Sequence, residues 1–213
     1  MKFDYSFLDL DYTIFDTRKF GDDIWAIFSS RGISRIDYEE TYRESLCTVS
    51  KEEFDYNFQE HVDFLRARGC KLGQEVVREL NNLVNNDYLF PDSMDFIKFL
   101  KEVSEKVILL TAGDFKFQEE KIKHCGMAEL FDEIVILKGH KNEYLRPFVE
   151  KNYKILFVND SWRENIALRK KFDSLFMVGV DGPHGRKSND GEVKNLIYLP
   201  SLTAIKNYVI GLK

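Results

Sequence analysis

Five short apolar runs punctuate the chain: YSFLDL at 5–10, KVILLT at 106–111, EIVIL at 133–137, KILFVN at 154–159 and LFMVGV at 175–180. Runs this short and this continuously apolar fit strands of a parallel sheet, which are buried on both faces and lose polar alternation. Between the later runs the apolar spacing becomes helical. Phe96, Phe99, Leu100 and Val103 form one stripe after Pro91-Asp92, a good helix start. A second helix is expected from about Asp114 to Cys125, ended by Gly126. A third should follow Lys141, kinked or delayed by Pro147, which has no N–H to donate. A fourth should begin near Ser161. This alternation predicts a doubly wound, mostly parallel, Rossmann-like α/β sheet.

The stretch 17–87 breaks the rhythm. It carries helical stripes such as Ile24, Ile27 and Phe28 amid dense charge, and no convincing strand. It reads as a helical insertion between the first and second core strands, leaving 1–16 and 88–213 as the α/β core. The segment DGPHGRKSNDGEV at 181–193 reads as a flexible loop from its glycines and short polar residues.

Composition narrows the classes. A net charge of -5 offers no basic footprint for a nucleic-acid backbone, so no such partner is expected. The cysteines Cys47, Cys70 and Cys125 form no C-x-x-C pair, which argues against a disulfide framework or structural zinc and fits reduced thiols. Asp4, Asp9 and Asp11 would interrupt a signal-peptide apolar region, and no apolar run reaches the length of a membrane span. A soluble, cytoplasmic protein without a membrane partner is expected.

Candidate chemistry gathers at strand ends. Asp9 and Asp11 stand at i and i+2 where the first apolar run closes, and an ideal strand would point both to one face. At the carboxyl end of a parallel strand that face opens on the ligand crevice of α/β proteins. Two close carboxylates repel unless a cation lies between them or one is protonated, and a hard oxygen-seeking ion such as Mg²⁺ is the natural neutraliser. Thr111 closes the second run, and Ala112-Gly113-Asp114 then opens a helix whose free N–H groups suit an anion. Lys138 and Lys141 follow the third run; Asp160, beside Ser161, follows the fourth. Singly, these residues have plainer roles as caps or solvated charges. As an ordered set they supply a nucleophile, a proton shuttle, a hydroxyl and a cation for phosphoryl oxygens, and an acid for a metal.

The set resembles the haloacid dehalogenase superfamily over nearly the whole chain. That family's first motif, Asp-x-Asp-x-Thr, stands as Asp9-Leu10-Asp11-Tyr12-Thr13, and VILLT with Thr111 resembles the motif that follows it. The motif lysine matches Lys141 best by spacing, with Lys138 as runner-up. The fourth motif resembles Asn159-Asp160 with Glu164, although Asn159 replaces the usual glycine and Asn165 stands where many relatives carry a second acid. The resemblance implies a magnesium-dependent phosphatase acting on a small phosphorylated metabolite, with 17–87 as a helical cap. It implies Asp9 as nucleophile, Asp11 as acid/base, and Thr111, Ala112, Gly113 and Lys141 around the phosphoryl group. Asp9, Asp160 and Asp11, the last through its backbone carbonyl, would hold the metal. Arg18, Lys19 and Trp25, just inside the insertion, are candidate contacts for the organic part of the substrate. The alternatives are a sugar-phosphate mutase, a dehalogenase, whose relatives generally lack the second aspartate of the pair, and a non-catalytic module on a decayed enzyme.

Overall fold

The computed structural model describes residues 2–47, 56–185 and 196–212. Among these residues six strands form one sheet: β1 (Phe3–Leu8), β2 (Ser104–Ala112), β3 (Glu133–Leu137), β4 (Ile155–Asn159), β5 (Phe176–Val180) and β6 (Leu196–Leu199). Every pairing is parallel, in the order β3-β2-β1-β4-β5-β6. From β1 the chain builds outward on one side to β3, then returns to place β4 on the other side of β1. That reversal opens a crevice at the carboxyl ends of β1 and β4.

Around β1, β2 and β4 the apolar runs are continuous because both sheet faces are covered. Phe7, Ile108, Leu110 and Phe157 join one core with Leu145, Trp162 and Leu168, supplied by α7 (Lys141–Glu150) and α8 (Trp162–Lys171). Their strand neighbours Leu8, Leu109 and Val158 join the opposite core. That core is closed by α5 (Ser93–Val103), α6 (Phe115–His124) and α9 (Leu202–Gly211) through Phe96, Ile122 and Ile205.

Between β1 and α5 the described residues carry the helices α1 (Thr17–Ser29), α2 (Arg35–Cys47), α3 (Phe58–Ala67) and α4 (Gln74–Asn82). These helices share the second core rather than forming one of their own, since Phe28, Val62, Leu65 and Leu80 belong to the same cluster as Leu8 and Leu109. Phe20 is the joint, with ring centroids 5.6 Å from Phe15, 5.0 Å from Tyr88 and 5.9 Å from Phe117. The two chain crossings are tied together: the Asp16 N–H donates to the Tyr88 carbonyl at 2.6 Å, and Lys19 Nζ donates to the Asp87 carbonyl at 3.0 Å.

Two features depart from the sequence expectations, and a third expectation falls partly outside the described residues. β6 and α9 have no counterpart among the predicted elements: the LIYL run has only four residues, too few to stand out after a long polar stretch. Pro147 does not delay α7, which starts at Lys141 and runs through the proline to Glu150; one missing donor is outweighed by the packing of the helix. From residue 186 onward the segment expected to be a flexible loop lies outside the described residues. Among those described, no helix is long and apolar enough to cross a membrane.

Candidate active site

Asp9 is the first residue beyond β1, its N–H still donating to the Val158 carbonyl at 3.0 Å. The chain then turns sharply. The Leu10 carbonyl accepts the N–H groups of Thr13, Ile14 and Phe15 at 3.2, 3.0 and 3.0 Å. Tyr12 takes a left-handed conformation (φ 57°), which a non-glycine residue adopts at a cost and which recurs at functional sites. The turn is locked to the next strand, because the Asp160 N–H donates to Thr13 Oγ1 at 3.1 Å. Asp11 is therefore not on a strand, and the expectation that both carboxylates share one strand face fails: they bond to different lysines.

Asp9 is met by Lys141, whose Nζ donates to its Oδ1 at 2.7 Å and to Glu164 Oε2 at 2.9 Å. Lys141 is 4% exposed, whereas Lys138 is exposed, so the lysine that reaches the site is Lys141. Burial alone would discharge this ammonium, but the Asp9 and Glu164 carboxylates hold its pKa above the usual value. Burial lifts the Asp9 carboxyl to about 6 against the pull of Lys141, with Glu164 and Asp11 adding to the rise. Asp160 is pushed further, to about 8, by burial and by the neighbouring Asp9.

The Asn159 and Asn165 departures form a bracket for Glu164. Asn159 Nδ2 donates to Glu164 Oε2 at 2.8 Å and to Asn165 Oδ1 at 3.0 Å. Asn165 Nδ2 returns to the Asn159 carbonyl at 3.2 Å and reaches Tyr198 Oη at 2.5 Å. Glu164 thus aims Lys141.

Asp11 faces α6. Lys121 Nζ donates to its Oδ1 at 2.5 Å, Thr17 Oγ1 to the same oxygen at 2.6 Å, and Gln118 Nε2 to Oδ2 at 2.8 Å. Burial would raise this carboxyl, but Lys121 and the other donors outweigh it and hold the pKa below its ordinary value. Lys121 and Gln118 escape a sequence reading because FQEEKIK resembles a solvated helix. The available signal is the spacing 118, 121, 122, one helical face that ends in an isoleucine.

The remaining predicted positions divide. Thr111 is buried near the end of β2. Gly113 does not offer its N–H to an anion, since that group donates to the Leu137 carbonyl at 3.0 Å. Asp114 caps α6, accepting from the Phe117 N–H at 2.7 Å. Arg18 is exposed on α1 but near enough to the Tyr12 phenol to oppose the rise that burial gives it. Lys19 stands over the Tyr88 ring at 5.1 Å and belongs to the crossing of the two chains. Trp25 packs on Tyr38 at 5.0 Å, with the Arg35 guanidinium 4.9 Å from its ring.

The site fits a hard divalent cation. Among the described residues Asp160 Oδ2 is buried without a hydrogen-bond partner, and it shares the crevice with a second buried carboxylate, Asp9, which is paired with Lys141. Among the described residues no group of three or more His, Cys, Asp or Glu side chains could enclose a metal. Asp9 and Asp160 are the side chains that would hold such an ion, with the remaining positions filled by backbone, water or substrate oxygens, an arrangement Mg²⁺ would accept. The Asp11 side chain, engaged by three donors, is not among them.

No protein-family model matches the sequence, and no curated protein does. Solved structures do match. A protein described as a haloacid dehalogenase-like hydrolase from Burkholderia xenovorans superposes with a TM-score of 0.71 at 18% identity, covering 98% of each chain. The chain has the haloacid dehalogenase-like fold. A HAD-hydrolase from Bacillus subtilis, bound to magnesium, gives 0.66 at 15% identity over 98% of this chain and 99% of that one. L-2-haloacid dehalogenase from Xanthobacter autotrophicus gives 0.63 at 14% identity over 99% and 100%. Within this fold, Asp9, Thr111, Lys141 and Asp160 lie at or just beyond the carboxyl ends of β1, β2 and β4 and the start of α7.

Proposed function

We propose that the protein hydrolyses a small phosphomonoester in two steps through an aspartyl-phosphate on Asp9, with Mg²⁺ as cofactor. The observation that carries this reading is the orphaned, buried Oδ2 of Asp160 beside Asp9. Displacement at carbon by a carboxylate needs no cation, whereas phosphoryl transfer brings further negative charge that a site with two buried carboxylates cannot absorb unaided. A bound Mg²⁺ would neutralise charge on the phosphoryl oxygens. The magnesium-bound structure from Bacillus subtilis is consistent with this.

The residues then divide the work. Lys141 holds Asp9 Oδ1, leaving the other oxygen to attack phosphorus as the bond to the leaving oxygen breaks. A proton passes to the leaving oxygen through Asp11; in the second step water attacks phosphorus, gives its proton to Asp11, and frees Asp9 as a carboxylate. In the resting site Asp11 is ionised by Lys121, which suits the second step directly. For the first step the proton arrives with the substrate. The helices of 17–87 serve as a cap that excludes water and selects the substrate.

The same hold on Asp11 favours a second reading, a dehalogenase, because halide leaves without a proton. A panel of phosphomonoesters and 2-haloacids, each assayed with Mg²⁺ and with EDTA, separates the two. The expected result is phosphate release that EDTA abolishes; halide release with no phosphate release would replace this reading by the second.

A further inference from the structure

Two of the three donors on Asp11 come from α6, whose sequence draws attention to its first turn but not to the charged residues further along it. Lys121 is 2% exposed, and its ammonium lies 4.7 Å from the Phe15 ring centre and 5.4 Å from that of Phe117. A buried lysine between two rings, with one carboxylate as its ion-pair partner, has little freedom to choose another geometry. Gln118, one helical turn earlier, is also buried, and its Nε2 is shared between Asp11 Oδ2 at 2.8 Å and the Ala112 carbonyl at 3.1 Å. That pairing fixes which end of the amide faces Asp11 and leaves Oε1 buried without a partner. Gly113 makes room for it: a Cβ there would lie 3.1 Å from Gln118 Nε2, and the backbone has φ +137°.

Resting on the phosphohydrolase reading above, we infer that Lys121 and Gln118 are positioning residues for Asp11, clamping both its oxygens so that its free lone pair faces the leaving group. Thr17 at the foot of α1 completes the clamp from the cap side. The clamp matters in proportion to how much proton transfer the reaction needs. An alkoxide cannot depart without a proton, whereas 4-nitrophenolate can, so a misaimed Asp11 penalises the first far more than the second. A role confined to packing would penalise both alike.

The test compares kcat/KM for 4-nitrophenyl phosphate, phenyl phosphate and an alkyl phosphate. It uses wild type, Asp9→Asn, Asp11→Asn, Lys121→Met, Lys121→Arg, Gln118→Leu and the double variant Asp11→Asn/Lys121→Met. Lys121→Met should lose about tenfold more on the alkyl than on the 4-nitrophenyl ester, the size of a partial loss of general acid–base catalysis. Lys121→Arg should recover part of that gap, and the double variant should be no worse than Asp11→Asn. Gln118→Leu should show the same leaving-group dependence and carries the test if circular dichroism shows Lys121→Met unfolded. Equal losses across the series, or losses that multiply in the double variant, would overturn the inference alone. Failure of wild type to hydrolyse any ester, or activity that survives in Asp9→Asn, would overturn the phosphohydrolase reading beneath it.

Discussion

Among single residues, the buried carboxylates dominate. Asp160→Ala should raise the Mg²⁺ concentration needed for half-maximal rate by at least about tenfold while leaving the unfolding transition intact; a metal titration of the rate decides it, and an unchanged half-point would move the ligand elsewhere. Lys141→Met should leave Asp9 and Glu164 buried without their shared cation. A loss of about 3–5 kcal/mol by denaturant titration at pH 8 is expected, as for one partner removed from a buried pair. Single residues are also where the sequence is least legible. Asp9 and Asp160 stand out as members of an ordered set, each at the end of an apolar run, although each alone could serve as a cap or a solvated charge. Lys121 does not, because charge in a helix reads as solvated until the rings of Phe15 and Phe117 are seen around it. Glu164 is visible as an acid a few residues after Asp160, but its part in aiming Lys141 depends on the amide of Asn159 and on a helix turn that no spacing specifies.

Elements are more legible than residues. The strands β2, β4 and β5 are plain as apolar runs, since burial on both faces removes the polar residues that blur a half-exposed strand; β3, at the sheet edge, is an equally plain apolar run although its residues are exposed or half-buried. The end of β1 is not: its run continues to Leu10, yet the strand stops at Leu8 because Leu10 turns its carbonyl into the loop. The loop between β2 and α6 offers a test of local strain. Gly113→Ala must hold a Cβ at φ +137° against the Gln118 amide. It should lower stability by about 1–3 kcal/mol in chemical unfolding, the usual range for a strained backbone position. An alanine tolerated at no cost would mean that the loop relaxes freely. At the helical crossing, Lys19→Ala removes a tie to the Asp87 carbonyl.

For the molecule as a whole, buried carboxylates with raised pKa values couple folding, metal and pH. Asp9 and Asp160 titrate at about 6 and about 8 when folded, against roughly 4 when unfolded. Between those values the folded state holds more protons, so metal-free stability should fall as pH rises from about 4 through about 8. Mg²⁺ competes with those protons; its binding should tighten over the same window and release protons measurable by calorimetry in buffers of different ionisation enthalpy. Flat stability across that range would mean that both groups are already ionised without metal. The doubly wound topology is readable from strand–helix alternation, whereas the merging of the 17–87 helices into the core of the sheet is not, because it depends on Phe20 meeting Phe15, Tyr88 and Phe117 across distant segments. That Asp9 carries the phosphoryl group can be checked by rapid acid quench with a phosphate-labelled ester. Protein-bound label is expected that hydroxylamine removes and that maps to the peptide bearing Asp9, and it should be absent in Asp9→Asn. Phosphate release with no label on the protein, or with label on another residue, would rule out Asp9 as the nucleophile.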